Sequence, residues 1–185
     1  MIQETYLLLD TKEQLRLAWQ SEGYVQVDHL LSVEDYIRLA KCAWGKGKQV
    51  ERPARYSYGL VSSVPLVSAF SGSVLSGWLG SIMGGKVRIK DVSIRHFGHG
   101  DYTLLHDAVY TAGVAQFFFI FSGMWDPAWG GGLTVHRDKA SPLQVGLKGN
   151  RFFLVRSRDE WKPFVQYINH LAGKETFVLV QGTIS

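Results

Sequence analysis

The residues best able to do chemistry in this chain stand at the end of one alternating run. Gly100-Asp101-Tyr102-Thr103-Leu104-Leu105-His106-Asp107-Ala108 reads as a strand that delivers an imidazole and then a carboxylate to one spot. Imidazole and carboxylate together are the usual start of a divalent-metal site. The same pair, His106 and Asp107, can also work as acid and base. On a regular strand adjacent side chains point to opposite faces. The two can therefore share a ligand only if the strand ends or bulges at His106. The plainer reading of His106 is a buried, hydrogen-bonded core histidine.

Other candidates are weaker on chemistry. His99-Gly100-Asp101 lies in a glycine-flanked turn, and turn formation accounts for it. His136-Arg137-Asp138 follows a glycine-rich turn at a strand end, and His29 and His96 read as surface or strand histidines. Lys174 opens the last strand-like run after Gly173, with Thr176 two residues on and on the same face, which suits a carboxylate ligand. A solvated lysine fits the same pattern. Tyr102, Tyr110 and Phe117 to Phe119 are expected to fill an interior.

These residues must be positioned by elements of two kinds. Residues 1–83 read as a helical lead-in with a loop. A helix is expected over 11–21 with Thr11 and Gln14 as a capping box, ended by Gly23. Tyr24 to Asp28 alternates as a short strand, Ser32 caps a second helix running to about Trp44, and 45–62 reads as a surface loop. That loop carries Lys46, Lys48, Arg52 and Arg55, which would suit an acidic substrate. A helix over 63–83 puts Leu66, Phe70, Leu75 and Trp78 on one side. From Gly84 onward eight strand-like runs follow, at 86–97, 102–110, 114–122, 132–137, 143–147, 151–156, 163–169 and 175–183. No long helical pattern interrupts them, so an antiparallel sandwich or barrel is expected, a jelly roll with helices packed outside.

Composition bounds the rest. With 185 residues, 46% hydrophobic and 19% charged, the chain is expected to be one globular domain, 1–185. The net charge of +4 is spread without long basic runs, so no specific nucleic-acid signal arises. A lone cysteine, Cys42, excludes an internal disulfide and reads as a core thiol on the second helix. Neither a signal peptide nor an apolar run long enough for a membrane span is read, so a cytoplasmic setting is the expectation.

Several segments together resemble one family, the iron(II)/2-oxoglutarate oxygenases, and within it the prolyl-hydroxylase-like members. Gly100 to Asp107 resembles their first metal-binding strand, where a Gly-x-x-x-x-x-His-x-Asp run is common. Gly23-Tyr24-Val25-Gln26-Val27-Asp28-His29-Leu30-Leu31-Ser32 is similar to their lead-in. Trp125-Asp126-Pro127-Ala128-Trp129-Gly130-Gly131-Gly132-Leu133 resembles the turn that enters their fourth core strand. Gly149-Asn150-Arg151-Phe152-Phe153-Leu154-Val155 resembles the Gly-Asn-Arg strand that follows. Lys174-Glu175-Thr176 matches the Arg-x-Ser pair that binds the far carboxylate of 2-oxoglutarate. The resemblance spans residues 14–183. It implies a double-stranded β-helix core, iron(II) and 2-oxoglutarate as cofactors, and hydroxylation of a C–H bond in a peptide or small-molecule substrate. His106 and Asp107 would hold metal, and Lys174 and Thr176 the co-substrate.

The site departs from that pattern in three places. The carboxylate belongs two residues after the histidine, where Ala108 stands. A second histidine belongs at the start of the seventh strand, but Trp161-Lys162-Pro163-Phe164-Val165 has none. With Phe164 or Lys162 in the ligand position, the nearest histidine, His170, lies six to eight residues farther along, roughly 20 Å or more away at ~3.3 Å per residue. Phe97 occupies the place of a tyrosine that often helps hold 2-oxoglutarate. Three readings stay open: an oxygenase with an unusual metal site, a degenerate non-redox member binding a small acid or a protein partner, and a metal-free or differently metallated enzyme using His106 and Asp107.

Overall fold

The computed structural model describes residues 1–44, 58–104, 114–159 and 161–185, with 49–51 as backbone only. Helix α1 (Leu9–Glu22) starts two residues earlier than expected and leaves Thr11 inside its first turn, with no side-chain cap. Strand β1 is Tyr24–Asp28. Helix α2 (Val33–Trp44) is capped as expected: the Asp35 amide donates to Ser32 Oγ at 3.2 Å, and that hydroxyl donates to Asp35 Oδ2 at 2.9 Å. Cys42 sits half-buried on this helix against the core.

The loop expected over 45–62 contains two short strands, β2 (Gln49–Glu51) and β3 (Gly59–Ser62). Runs of three and four residues among Gly, Pro and charges carry too little alternation to be read. Pairing supplies what periodicity lacks: β3 docks on the next strand with Gly59 opposite His96 and Leu60 opposite Arg95.

The expected single helix over 63–83 is two helices, α3 (Val64–Ser71) and α4 (Ser73–Met83), broken at Gly72, which adopts φ −73° and ψ 163°. By length and composition Val64–Met83 is long and apolar enough to cross a bilayer, which corrects the expectation that no run was long enough. In the fold the break turns both halves onto the sheet, and Leu66, Phe70, Leu75, Trp78 and Ile82 enter the core.

Seven of the eight expected strands form: β4 (Ile89–Phe97), β5 (Ala115–Phe121), β6 (Leu133–Arg137), β7 (Leu143–Val145), β8 (Arg151–Arg156), β9 (Trp161–Val165) and β10 (Phe177–Ile184). They make a seven-stranded antiparallel sheet, ordered β1-β8-β5-β10-β4-β3-β2, facing a three-stranded sheet ordered β7-β6-β9. The inner strands pair out of sequence order, as in a double-stranded β-helix, so mainly-β with N-terminal helices is the correct class.

Strand β5 shows why the core splits in two. Every residue of Ala115–Phe121 is buried. Phe117, Phe119 and Phe121 face the helices, while Phe118 and Ile120 face the small sheet. A strand covered on both sides needs a continuous apolar run rather than alternation. The lead-in is locked to this core by Asp28, whose carboxylate accepts from Arg151 Nε at 2.6 Å and from Lys148 Nζ at 2.9 Å. Arg151, the largest influence, holds the Asp28 pKa down at about 2.

Candidate functional site

The eighth expected strand, 102–110, begins within the described residues and leaves them. His106, Asp107 and Tyr110 lie outside them. The approach is clear. Gly98 to Asp101 makes a tight turn in which the Asp101 carboxylate accepts from the Gly98 amide at 2.7 Å. Asp101 is buried there, so His99-Gly100-Asp101 is a turn, as its glycine suggested. The chain then runs antiparallel beside β9 and the residues after it. Gly100 N–H donates to Ile168 O at 2.9 Å, Ile168 N–H to Asp101 O at 3.1 Å, and Thr103 N–H to Val165 O at 3.0 Å. The Val165 amide donates back to Thr103 Oγ1 at 2.8 Å. Residues 100–103 therefore extend the small sheet beyond β9.

This ladder fixes which side chains of β9 look into the space between the sheets. Leu133 pairs with Val165, Val135 with Pro163 and Arg137 with Trp161. Leu133, Val135 and Val165 belong to the inter-sheet core. Trp161, Pro163 and Val165 thus point inward, and Lys162 and Phe164 point away. The inward places in the window where a second histidine belongs are held by Trp161, Pro163 and Val165, none of them a metal ligand, while Lys162 and Phe164, the expected ligand positions, face away. His170 lies on an exposed 3₁₀ turn, His170–Ala172, past the Ile168–Gly100 pairing and at the end opposite to Thr103. His136 and Asp138 meet at 3.2 Å, both largely exposed on the β6–β7 hairpin. Among the described residues no three of His, Cys, Asp and Glu come together.

The barrel interior is packed. Phe97 stacks on Phe177 with centroids 5.0 Å apart at 12°, and Trp125 meets Phe177 edge-on at 5.2 Å. Beside them Arg95, Thr103, Gln181, Pro163 and Val165 border a cavity of about 10 Å³. That volume holds about one water. Arg95 is an inward cation that sequence reasoning missed, although it shares the parity of Phe97 on β4; its guanidinium lies 4.9 Å above the Tyr58 ring. Lys174 is exposed just before β10. Thr176 is half-buried, with its methyl 3.2 Å from where a Cβ on Gly98 would stand.

Two of the recognised motifs have structural duties. A Cβ at Gly149 would lie 2.5 Å from both Ser122 O and Tyr36 Oη, so no side chain fits between them. Asn150, buried with φ 62°, accepts from the Leu31 amide and donates to the Leu31 carbonyl, both at 2.8 Å. At Gly130 a Cβ would fall 2.2 Å from Tyr167 O, and the Gly130 carbonyl accepts from the Trp125 indole at 2.9 Å. These residues close loops onto the barrel.

No family model matches the chain, and no curated protein does. Solved structures do. An oxidoreductase of the 2OG-Fe(II) oxygenase family from Burkholderia pseudomallei superposes with a TM-score of 0.71 at 9% identity, over 94% of this chain and 90% of that one. A Pseudomonas putida prolyl-4-hydroxylase gives 0.67 at 14%, over 93% and 97%. A prolyl hydroxylase from Trichoplax adhaerens, in complex with a hypoxia inducible factor peptide fragment, gives 0.65 at 11%, over 94% and 89%. The chain has the double-stranded β-helix fold of the iron(II)/2-oxoglutarate oxygenase superfamily.

Proposed function

We propose that this chain keeps the oxygenase barrel as a non-redox binding protein for a small acid or a peptide, without iron-dependent hydroxylation. The observation that carries this reading is Pro163. It occupies the middle of the three inward places on β9, between Trp161 and Val165, in the window where the resemblance puts a histidine, and none of the three is a metal ligand. An iron site of this class needs two histidines and a carboxylate on one face, with open positions for the co-substrate. The described residues fit neither demand: β9 offers no ligand, and the cavity beside it holds about 10 Å³. A carboxylate ligand would instead meet the Lys174 ammonium and the Thr176 hydroxyl ahead of β10. Lysine there is a point charge and not a two-pronged fork, so it holds an acid with less directional stringency.

A second reading, an iron-dependent oxygenase, is favoured by His106-Asp107 and by the fold. It requires the remaining ligand to come from outside the described residues. One pair of measurements separates the two. Incubating the protein with iron(II), 2-oxoglutarate, ascorbate and oxygen should yield no succinate above a no-protein control, while 2-oxoglutarate alone should raise Tm and Lys174→Ala should remove the rise. Succinate formation lost in His106→Ala would instead establish the oxygenase.

A further inference from the structure

The outer face of the small sheet carries an opening that the barrel reading does not use. We infer that it binds a neutral, hydroxylated ligand the size of a single sugar ring. Leu133, Val135, Val145 and Val165 face the inter-sheet core, so the alternate residues of β6 and β7 face away from it. There a cavity of about 310 Å³ is bordered by Trp125, Gly132, Thr134, Gln144 and Gln166. That size lies in the range of small-molecule sites.

Thr134 is the telling residue. It is 3% exposed, and its Oγ1 has no hydrogen-bond partner among the described residues. Buried hydroxyls are nearly always partnered, because desolvating one without a partner is unfavourable. A turn of the Thr134 side chain about its Cα–Cβ bond would bring this covered hydroxyl to a ligand hydroxyl in the cavity and complete it. Gln144 stands directly opposite Thr134 across the β6–β7 pair. Gln166 sits beside Gly132, with its Oε1 3.2 Å from where a Cβ at 132 would stand, so the glycine keeps the floor open. Each amide can both donate and accept. The indole N–H of Trp125 is committed to the Gly130 carbonyl, which leaves the ring as an apolar wall.

The lining sets the ligand class. No charged side chain borders this cavity among the described residues, so it offers no counter-charge to acids, phosphates or amines. Three neutral groups that both donate and accept, beside one aromatic wall, match a ring that has C–H faces and a hydroxyl rim. The polar groups cluster across neighbouring strands, around a compact molecule rather than along an extended chain.

The test uses the full chain and a panel of neutral monosaccharides (glucose, galactose, mannose and N-acetylglucosamine), each to about 10 mM, read by saturation-transfer NMR and Tm. At least one should bind with Kd on the order of 1 mM, the affinity of a weak, shallow site. Thr134→Val and Gln166→Leu should each weaken it at least tenfold. Thr134→Val should also raise Tm of the ligand-free protein, since it removes an unpaired hydroxyl. Absence of binding by every sugar, binding unchanged in both variants, or a lower Tm for Thr134→Val would overturn the inference. None of these readouts involves metal or 2-oxoglutarate, so they stand apart from the test of the barrel.

Discussion

Thr103 and Val165 hold each other twice: the Thr103 amide donates to the Val165 carbonyl at 3.0 Å, and the Val165 amide donates to Thr103 Oγ1 at 2.8 Å. This double link docks the segment that leads to His106 against β9 and sets the register between them. It also makes Pro163, the next inward residue of β9 after Val165, informative about the site.

Removing the hydroxyl should loosen that docking. Thr103→Val leaves the buried Val165 N–H without its partner, and an unpaired buried amide costs about 1–3 kcal/mol. Thr103→Ser should retain most of the stability. Urea denaturation of both variants checks this; equal stabilities would mean that the hydroxyl does not matter.

Much of this was readable in the sequence, and the parts that were not share a cause. Strand β8 and the run Phe117 to Phe121 announce themselves because each has one consistent environment along its length. Strands β2 and β3 do not, because they exist by pairing, β2 with β3 and β3 with β4, rather than by their own periodicity. The break at Gly72 was blurred by apolar residues on both sides of it. At the site, the absence of histidine from 161–165 was legible, but which residue stands in its place needed the β6–β9 register. The unpaired Thr134 hydroxyl left no mark at all, since threonine in a strand is ordinary.

Asn150 is expected to be the most sensitive polar position outside the site. Asn150→Ala removes both bonds to Leu31 and places a non-glycine residue without local hydrogen bonding at φ 62°. A loss of about 1–3 kcal/mol is expected from the buried Leu31 N–H left unpaired, since the Leu31 carbonyl still accepts from Gln3 Nε2 at 3.2 Å. Asn150→Gly, which tolerates the backbone conformation, should lose less than Asn150→Ala if strain contributes. Thermal unfolding of the pair measures the difference.

Asp28 should make acid stability depend on the β1–β8 junction. Its folded pKa is about 2, below the ordinary 3.8, mainly through Arg151 and then Lys148. A depressed carboxylate contributes stability that is fully present above its unfolded pKa and is lost as pH falls through the folded value. The stability gap between wild type and Asp28→Asn should therefore be constant above pH ~5 and shrink between about pH 4 and pH 2. A gap that persists unchanged to pH 2 would show that Asp28 is not the titrating group.

If a carboxylate at 108 and a histidine at 163 are what the site lacks, supplying them should help. The double variant Ala108→Asp, Pro163→His restores the His-x-Asp pattern and a histidine at the inward β9 position. It should bind manganese(II) at least tenfold more tightly than the unaltered chain, measured by the loss of the free-ion paramagnetic resonance signal. A folded double variant with no gain would place the defect elsewhere in the barrel.

The central proposal is that this chain binds no catalytic iron. Anaerobic calorimetric titration of the metal-free protein with manganese(II), in the presence of 2-oxoglutarate, addresses it most directly. The account predicts no saturable binding at one ion per chain and no difference between wild type and His106→Ala. Stoichiometric binding with micromolar or tighter affinity, abolished by His106→Ala, would contradict it.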